Sequence, residues 1–139
     1  MGKVEQKEVV AGKDNGFMYH NFMEELSAGD GKAEYKLTIR PESRNGYGFV
    51  HGGALYALAD NAAGAAAHSD GRYHVTQNGD MHFLRNQMEG DIFARATVTH
   101  RGRTTSLVQV DLVGQAGDLL ASGFFTYFCI GGEEPEQKK

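Results

Sequence analysis

The sequence has few residues that cross-link or stiffen a chain, with one cysteine and two prolines among 139 residues, and it contains no tryptophan. The single cysteine, Cys129, cannot form a disulfide within the chain, so we expect a reducing, cytoplasmic environment. No apolar run is long enough to span a membrane, and residues 1–6 lack the apolar core of a secretory signal. The sequence therefore predicts a cytoplasmic protein with no membrane partner.

Clustered basic charge is also missing. The chain carries 14 Lys and Arg residues against 18 Asp and Glu residues, a formal net charge of -4. Because nucleic-acid binding requires clustered cations to neutralise phosphates, nucleic acid is not an expected partner. The six histidines show no metal-ligand spacing, and neither a GxSxG nucleophile motif nor a phosphate-binding P-loop occurs. We expect no metal site and no resident cofactor.

The length and the 40% hydrophobic content predict one domain over residues 1–139, with flexible tails at 1–14 and 131–139. Apolar residues at helical spacing from Phe17 to Leu26 predict a short packing helix, which could also form part of an apolar pocket wall. Alternation of apolar and polar residues predicts strands at Ala33–Arg40 and Ile92–His100. Three further strands are predicted between turn signals, at Tyr73–Leu84, Thr104–Val113 and Leu119–Ile130.

The most distinctive segment runs from Asn45 to His68. A glycine-rich loop ends in His51-Gly52-Gly53, and an alanine- and leucine-rich helix follows as far as about His68. Small apolar residues on every side of this helix predict that the rest of the chain encloses it. One enclosed helix with strands joined by tight turns predicts an α+β fold, an antiparallel sheet wrapped around a long central helix.

The spacing of Asn45, His51-Gly52-Gly53 and Asp60 resembles that of the hotdog-fold thioesterases, and most of all the phenylacetate-pathway (PaaI-like) acyl-CoA thioesterases. The segment Asp80–Arg85 is similar to the second long strand of that family, and the likeness covers residues 33–130. Gly46 departs from the family, which usually has proline after the asparagine. The resemblance implies hydrolysis of acyl-CoA thioesters, with coenzyme A as part of the substrate. It also implies a homodimer with joined sheets and active sites at the interface, further paired into a homotetramer.

Asp60 is the residue we expect to be essential. A carboxylate among alanines costs several kcal/mol unless it is paired or hydrogen-bonded. The structural alternative is a helix residue that faces solvent or bonds a loop backbone. In the functional interpretation, Asp60 either deprotonates a water molecule or attacks the thioester carbonyl itself, and the sequence leaves both routes open.

The residues before and at the start of the helix supply the other predicted catalytic groups. The first N–H groups of a helix have no internal partner and could stabilise an oxyanion. The resemblance assigns this role to Gly52, with Gly53 leaving room for substrate. His51 and Asn45 would support Asp60 or the attacking water. As alternatives, the glycines make a tight turn and His51 caps the helix.

Gly52 and Asp60 are eight residues apart, which is about 12 Å along a helix. Both would have to come within about 3 Å of one thioester carbonyl. One straight helix cannot place both beside the same substrate. The interpretation therefore requires Asp60 of a neighbouring chain, and a two-fold dimer would carry two equal sites.

Substrate contacts are predicted on three elements. Tyr56 shares the helix face of Asp60, and Thr76 and Asn78 are equal candidates for contact with the attacking water. Phe83, together with Phe17 and Met18, is expected in a pocket wall that suits an aryl- or medium-chain acyl group. The predicted anchors for coenzyme A phosphates are Arg101 and Arg103, for which exposed surface arginines are the alternative.

Two other functions fit the same fold. One is a hydratase or dehydratase of enoyl thioesters, which would use a catalytic histidine at a different spacing. The other is a non-catalytic acyl-CoA-binding regulator, which would be expected to carry a DNA-binding module, and none is seen before residue 33.

Overall fold

The computed structural model describes residues 15–132, so the tails predicted for residues 1–14 and 131–139 lie outside the described residues except for Gly131 and Gly132. Residues 15–132 form two helices, one 3-10 turn and six strands. They are α1 (Gly16–His20), β1 (Met23–Gly29), β2 (Lys32–Thr38), the 3-10 turn Pro41–Ser43, α2 (Gly52–His68), β3 (Tyr73–Phe83), β4 (Asp91–Arg101), β5 (Thr105–Val113) and β6 (Leu119–Gly131).

All six strands belong to one antiparallel sheet with the order β1-β2-β4-β5-β6-β3. Helix α2 packs against one face of this sheet and contacts every strand. The inward face follows from alternation: Ala33, Tyr35 and Leu37 of β2 are buried, and the residues between them are not. The predicted α+β architecture is confirmed, and the five predicted strands end within two residues of the observed bounds.

The predicted helix from Phe17 to Leu26 is wrong beyond His20. Helix α1 is one turn long, and Met23–Gly29 forms β1, a strand that was not predicted and that pairs with β2. The helix ends because Phe22 adopts a left-handed backbone conformation, with φ of 61°. Its N–H donates to the Tyr19 carbonyl at 3.1 Å, which turns the chain into β1.

Helix α2 begins at an N-cap, since His51 has an extended backbone and its Nδ1 accepts the Gly53 N–H at 2.8 Å. One side of α2 is buried against the sheet, through Leu55, Leu58, Ala59, Ala62, Ala63, Ala66 and Ala67. The opposite side stays partly exposed, including Asp60 and Gly64. The prediction that the chain encloses this helix on every side is therefore wrong for the single chain.

The C-terminal end of α2 is held by the sheet. Arg101 of β4 donates to the Ala67 carbonyl at 2.7 Å and to the Ser106 hydroxyl at 3.1 Å. These bonds satisfy a helix carbonyl that has no partner within α2.

Between residues 15 and 132, no helix is long and apolar enough to cross a membrane.

Candidate active site

Asp60 lies halfway along α2 on the side that the sheet leaves open. The Thr76 hydroxyl donates to Asp60 Oδ1 at 2.8 Å, and the Tyr127 hydroxyl lies 2.5 Å from the same oxygen. Thr76 and Tyr127 are directly opposite each other on β3 and β6. Two hydroxyls on neighbouring strands therefore stabilise the charged carboxylate.

Asp60 faces an open cavity of about 610 Å³. Gly64 and His68 extend its wall along α2, while Tyr35 and Glu25 close it on the side of β1 and β2. The Tyr35 hydroxyl donates to Glu25 Oε1 at 2.7 Å. Burial and the neighbouring Glu25 carboxylate raise the pKa of Tyr35, which therefore remains a neutral phenol. The cavity thus has both polar and apolar walls beside a fixed carboxylate.

The loop before α2 and the first residue of α2 hold the other predicted catalytic groups, and none of them lines the cavity of Asp60. Asn45 Oδ1 accepts the N–H groups of Tyr47 at 2.9 Å and Phe49 at 3.2 Å, so the amide oxygen shapes the loop. The Gly53 N–H is used by the capping His51. Within residues 15–132 the Gly52 N–H has no hydrogen-bond partner.

The two candidates on β3 are not equivalent. A bulge at Gln77 shifts the register, so Thr76 pairs with Tyr127 and Asn78 pairs with Thr126. Thr76 therefore points towards α2, while Asn78 lies on the outer face of the sheet. The placement separates Asn78 from Asp60 of the same chain, and this difference was not readable from residue spacing.

Tyr56 and Phe83 lie outside the Asp60 cavity. The Tyr56 ring packs on Phe125, with centroids 5.1 Å apart, and its hydroxyl occupies the space above Gly79. A Cβ at Gly79 would lie 2.1 Å from that hydroxyl, so glycine is needed there. Phe83 is half exposed and lies next to Gly52 at the start of α2. Phe83 thus lies beside the start of α2 and not in the wall of the Asp60 cavity.

The apolar residues of α1 and the start of β1 line a separate groove. Met18, Phe22 and Met23 contribute to a second space of about 1030 Å³, which does not include Asp60. Phe17 is exposed. The predicted pocket wall at Phe17 and Met18 is therefore not part of the cavity beside the carboxylate.

Arg101 does not present a free guanidinium, which corrects its prediction as a phosphate anchor. Besides its bonds to the end of α2, its Nη1 lies 3.3 Å from Asp70 Oδ2. Arg103 is exposed, and its backbone carbonyl accepts a bond from Arg72 Nη1 at 2.5 Å. Of the two predicted anchors, Arg103 alone keeps its side chain at the surface.

A buried charged network at the end of α2 was not predicted from the sequence. Asp70 bonds Arg72 Nε at 2.7 Å and His74 Nε2 at 3.1 Å, and all three side chains are less than 10% exposed. Burial raises the pKa of Asp70, but the bonds from Arg72 and His74 and the Arg101 charge outweigh it and leave the pKa lowered. Burial also lowers the pKa of His74, so this imidazole stays neutral.

Tyr127 was missed for a different reason, since it stands in a run of aromatic residues that is typical of a core strand. Burial and the charge of Asp60 raise the pKa of Tyr127, so it remains a neutral hydrogen-bond donor. No group of three or more His, Cys, Asp or Glu side chains suited to a metal ion occurs in the described part of the chain.

Comparison with known families and proteins gives consistent matches. The family model described as the thioesterase superfamily matches residues 47–121. The acyl-coenzyme A thioesterase PaaI of Escherichia coli is 34% identical over 91 residues, which cover 65% of this chain and 65% of that protein. That alignment therefore spans slightly less than two thirds of the relative.

Solved structures show the same fold. The E. coli PaaI protein from the phenylacetic acid degradation operon has a TM-score of 0.83 and 28% identity, covering 86% of this chain and 88% of that chain. A hypothetical thioesterase from Streptococcus pneumoniae, solved with coenzyme A, has a TM-score of 0.80 and 28% identity, covering 89% and 98% of the two chains. These likenesses and the sheet order confirm the hotdog fold.

Proposed function

The chain belongs to the thioesterase superfamily, and from this membership we propose that it hydrolyses acyl-CoA thioesters to a free acid and coenzyme A. The observation that carries the proposal is Asp60, a carboxylate held by two hydroxyls at the wall of a cavity of about 610 Å³. The name of the E. coli relative and the coenzyme A in the S. pneumoniae structure support this choice of substrate.

The proposed chemistry uses two groups. The Gly52 N–H at the start of α2, which has no partner among residues 15–132, donates to the thioester carbonyl oxygen and stabilises the oxyanion. Asp60 then acts by one of two routes. As a base it takes a proton from water, whose oxygen attacks the carbonyl carbon. As a nucleophile it attacks that carbon itself and forms an anhydride that water later opens. In both routes the C–S bond breaks and coenzyme A leaves as a thiolate. Asn45 and His51 are proposed to support the loop beside the reacting carbonyl.

We propose that each site is shared between two chains. Gly52 and Asp60 lie about 12 Å apart on one continuous helix. The open side of α2 and the edge of β3, which pairs only with β6 among the described strands, supply a surface that a second copy could cover. Exposed apolar side chains at Tyr47, Phe83 and Leu84 add to that surface. Pairing of two such dimers into a tetramer is proposed by resemblance to the family.

The cavity dimensions favour acyl groups as large as an aryl or medium-chain group. Its aromatic walls come from Tyr35, Tyr73 and Tyr127 rather than from Tyr56 and Phe83. No metal or organic cofactor enters the proposed reaction, because the carboxylate and backbone N–H supply the base and the oxyanion contact. A reducing, cytoplasmic setting is proposed from the single cysteine.

The decisive test is a thiol-release assay with aryl- and alkyl-CoA thioesters. We expect Asp60→Asn to lower turnover by at least ~10³-fold, because the amide is neither base nor nucleophile. Asp118→Asn, a matched change in the β5–β6 turn, should keep wild-type activity. Near-normal turnover in Asp60→Asn would rule out the proposed mechanism. Hydration of enoyl-CoA without thiol release would indicate a hydratase instead of a thioesterase. Acyl-CoA binding without turnover would indicate a non-catalytic binding protein.

A further inference from the structure

Tyr127 has contacts that packing alone does not explain. Its side chain is 1% exposed, and its hydroxyl lies 2.5 Å from Asp60 Oδ1 and 2.6 Å from the Asp60 backbone carbonyl oxygen. A phenol has one proton and can donate it to one of these oxygens at a time. The charged carboxylate is the stronger acceptor, so the proton points to Oδ1 while Asp60 is ionised.

The two oxygens of the Asp60 carboxylate therefore have different hydrogen-bonding environments. Oδ1 accepts from both Tyr127 and Thr76. Oδ2 accepts no hydrogen bond from the described residues 15–132, and the carboxylate lines the open cavity. An oxygen that already accepts two hydrogen bonds is a poorer base and nucleophile than one that accepts none.

We propose that Tyr127 is a positioning residue that fixes the carboxylate of Asp60, so that Oδ2 is the oxygen presented to the reacting atoms. This inference rests on the proposed thioesterase function. Tyr127 is suited to the task because β6 holds its ring rigidly beside Phe125, with ring centroids 6.5 Å apart. The absence of a side chain at Gly64 keeps the helix surface next to the hydroxyl open.

The Asp60 backbone carbonyl oxygen gives the Tyr127 hydroxyl a second acceptor during turnover. When Oδ2 takes a proton or forms an anhydride bond, the charge on the carboxylate disappears and Oδ1 becomes a weaker acceptor. The Tyr127 proton can then turn to the Asp60 backbone carbonyl 2.6 Å away. The buried hydroxyl thus keeps a hydrogen-bond acceptor in both states of Asp60, which avoids the cost of an unpaired buried donor.

Tyr127→Phe tests the proposal, since it removes the hydroxyl and keeps the ring. We expect kcat to fall about ten- to a hundredfold, the range for losing one hydrogen bond to a charged group. We expect KM to change less than about twofold, because the hydroxyl touches Asp60 and not the bound thioester.

Ser122→Ala is the matched control. It removes another hydroxyl-to-aspartate bond on β6, the 2.6 Å bond from Ser122 to Asp111, outside the Asp60 cavity. This variant should leave both kcat and KM unchanged. Equal losses in Tyr127→Phe and Ser122→Ala would show a general effect on the strand and overturn the proposal.

A double-mutant comparison separates this inference from the proposed function. If Tyr127 acts through Asp60, adding Tyr127→Phe to Asp60→Asn should cost less than about twofold more in kcat. A wild-type rate in Asp60→Asn would refute the thioesterase mechanism, whereas an inactive Asp60→Asn beside a wild-type Tyr127→Phe would refute the role of Tyr127 alone.

A spectroscopic measurement covers the case in which Tyr127→Phe does not fold. In protein labelled with ¹³C at the tyrosine Cζ atoms, the Tyr127 resonance should shift between wild type and Asp60→Asn, because the hydroxyl loses its charged acceptor. Tyr19, which is exposed, should keep its resonance. An unchanged Tyr127 resonance would contradict the proposed contact.

Discussion

Gly64 interrupts an alanine-rich helix directly beside the cavity. A Cβ at this position would lie 3.6 Å from the Tyr127 hydroxyl, an ordinary van der Waals contact. Gly64→Ala should therefore raise the free energy of unfolding by about 0.5–1 kcal/mol, through the higher helix propensity of alanine. The added methyl group should narrow the cavity and slow the hydrolysis of arylacyl-CoA more than that of acetyl-CoA.

Urea unfolding and thiol release with the two substrates measure these effects. Ala65→Gly is the reverse control, since it lies on the same cavity wall and should lower stability by a similar amount. Two results would contradict the idea that Gly64 makes room for the acyl group. Gly64→Ala would either slow thiol release from both substrates equally or destabilise the protein.

Single residues differ in how far the sequence alone could place them. Asp60 was found because a carboxylate in a run of small apolar residues is unusual and its distance from the glycine pair is informative. Thr76 and Asn78 could not be separated, because the bulge at Gln77 depends on pairing with β6. Tyr127 remained hidden because its hydrogen bond depends on a helix residue 67 positions away.

At the scale of elements, periodicity predicted the strands that have one buried face and failed for the edge strand. In β1 only Met23 is buried, so β1 lacks the alternation that identified β2. Its apolar residues instead matched helical spacing. The left-handed conformation that ends α1 is adopted by Phe22, where glycine would have given a recognisable stop signal. Backbone pairing with β2, and not local pattern, determines this segment.

The network at the end of α2 makes stability depend on pH. Burial holds the pKa of His74 below its ordinary value of about 6.5, while the unfolded chain titrates near that value. As the pH falls below about 6.5, the unfolded state gains a proton that the folded state resists, and stability decreases by at most about 1.4 kcal/mol per pH unit from this group. Asp70 has a lowered pKa, so its contribution is lost only at more acidic pH.

Urea unfolding at pH 7.5 and 5.5 measures this dependence. We expect the wild type to lose more stability between these pH values than His74→Gln, in which the titrating imidazole is absent. His20→Gln, in α1 and outside the network, should behave as the wild type. Equal pH dependence in His74→Gln and the wild type would contradict the neutral, buried state of His74.

At the scale of the whole molecule, the two halves of the proposed site lie on different parts of one chain. Asp60 faces the cavity between α2 and the ends of β3 and β6, while the Gly52 N–H lies at the start of α2 beside Phe83. The sequence could predict this separation because it follows from helix rise alone. It could not predict that one side of α2 stays open, since that depends on how far the sheet curves around the helix.

Mixing of two inactive variants tests the shared site. Gly52→Pro removes only the proposed oxyanion N–H, because proline is favoured at the first position of a helix and His51 already has the extended backbone that must precede proline. Gly52→Ala is the matched control that keeps the N–H, and its Cβ would lie 3.9 Å from Phe83. We expect Gly52→Ala to be active and Gly52→Pro to be inactive.

Each mixed dimer of Asp60→Asn and Gly52→Pro chains contains one intact site, formed by Gly52 of one chain and Asp60 of the other. Unfolding and refolding an equal mixture should produce mixed dimers as half of all dimers, so thiol release should recover to about one quarter of the wild-type rate. Refolding Asp60→Asn with Asp60→Ala should recover nothing, because no dimer then has an intact carboxylate. A mixture of Asp60→Asn and Gly52→Pro that stays inactive, although mass spectrometry shows the mixed dimer, would place both groups of a site on one chain and contradict the argument from helix rise.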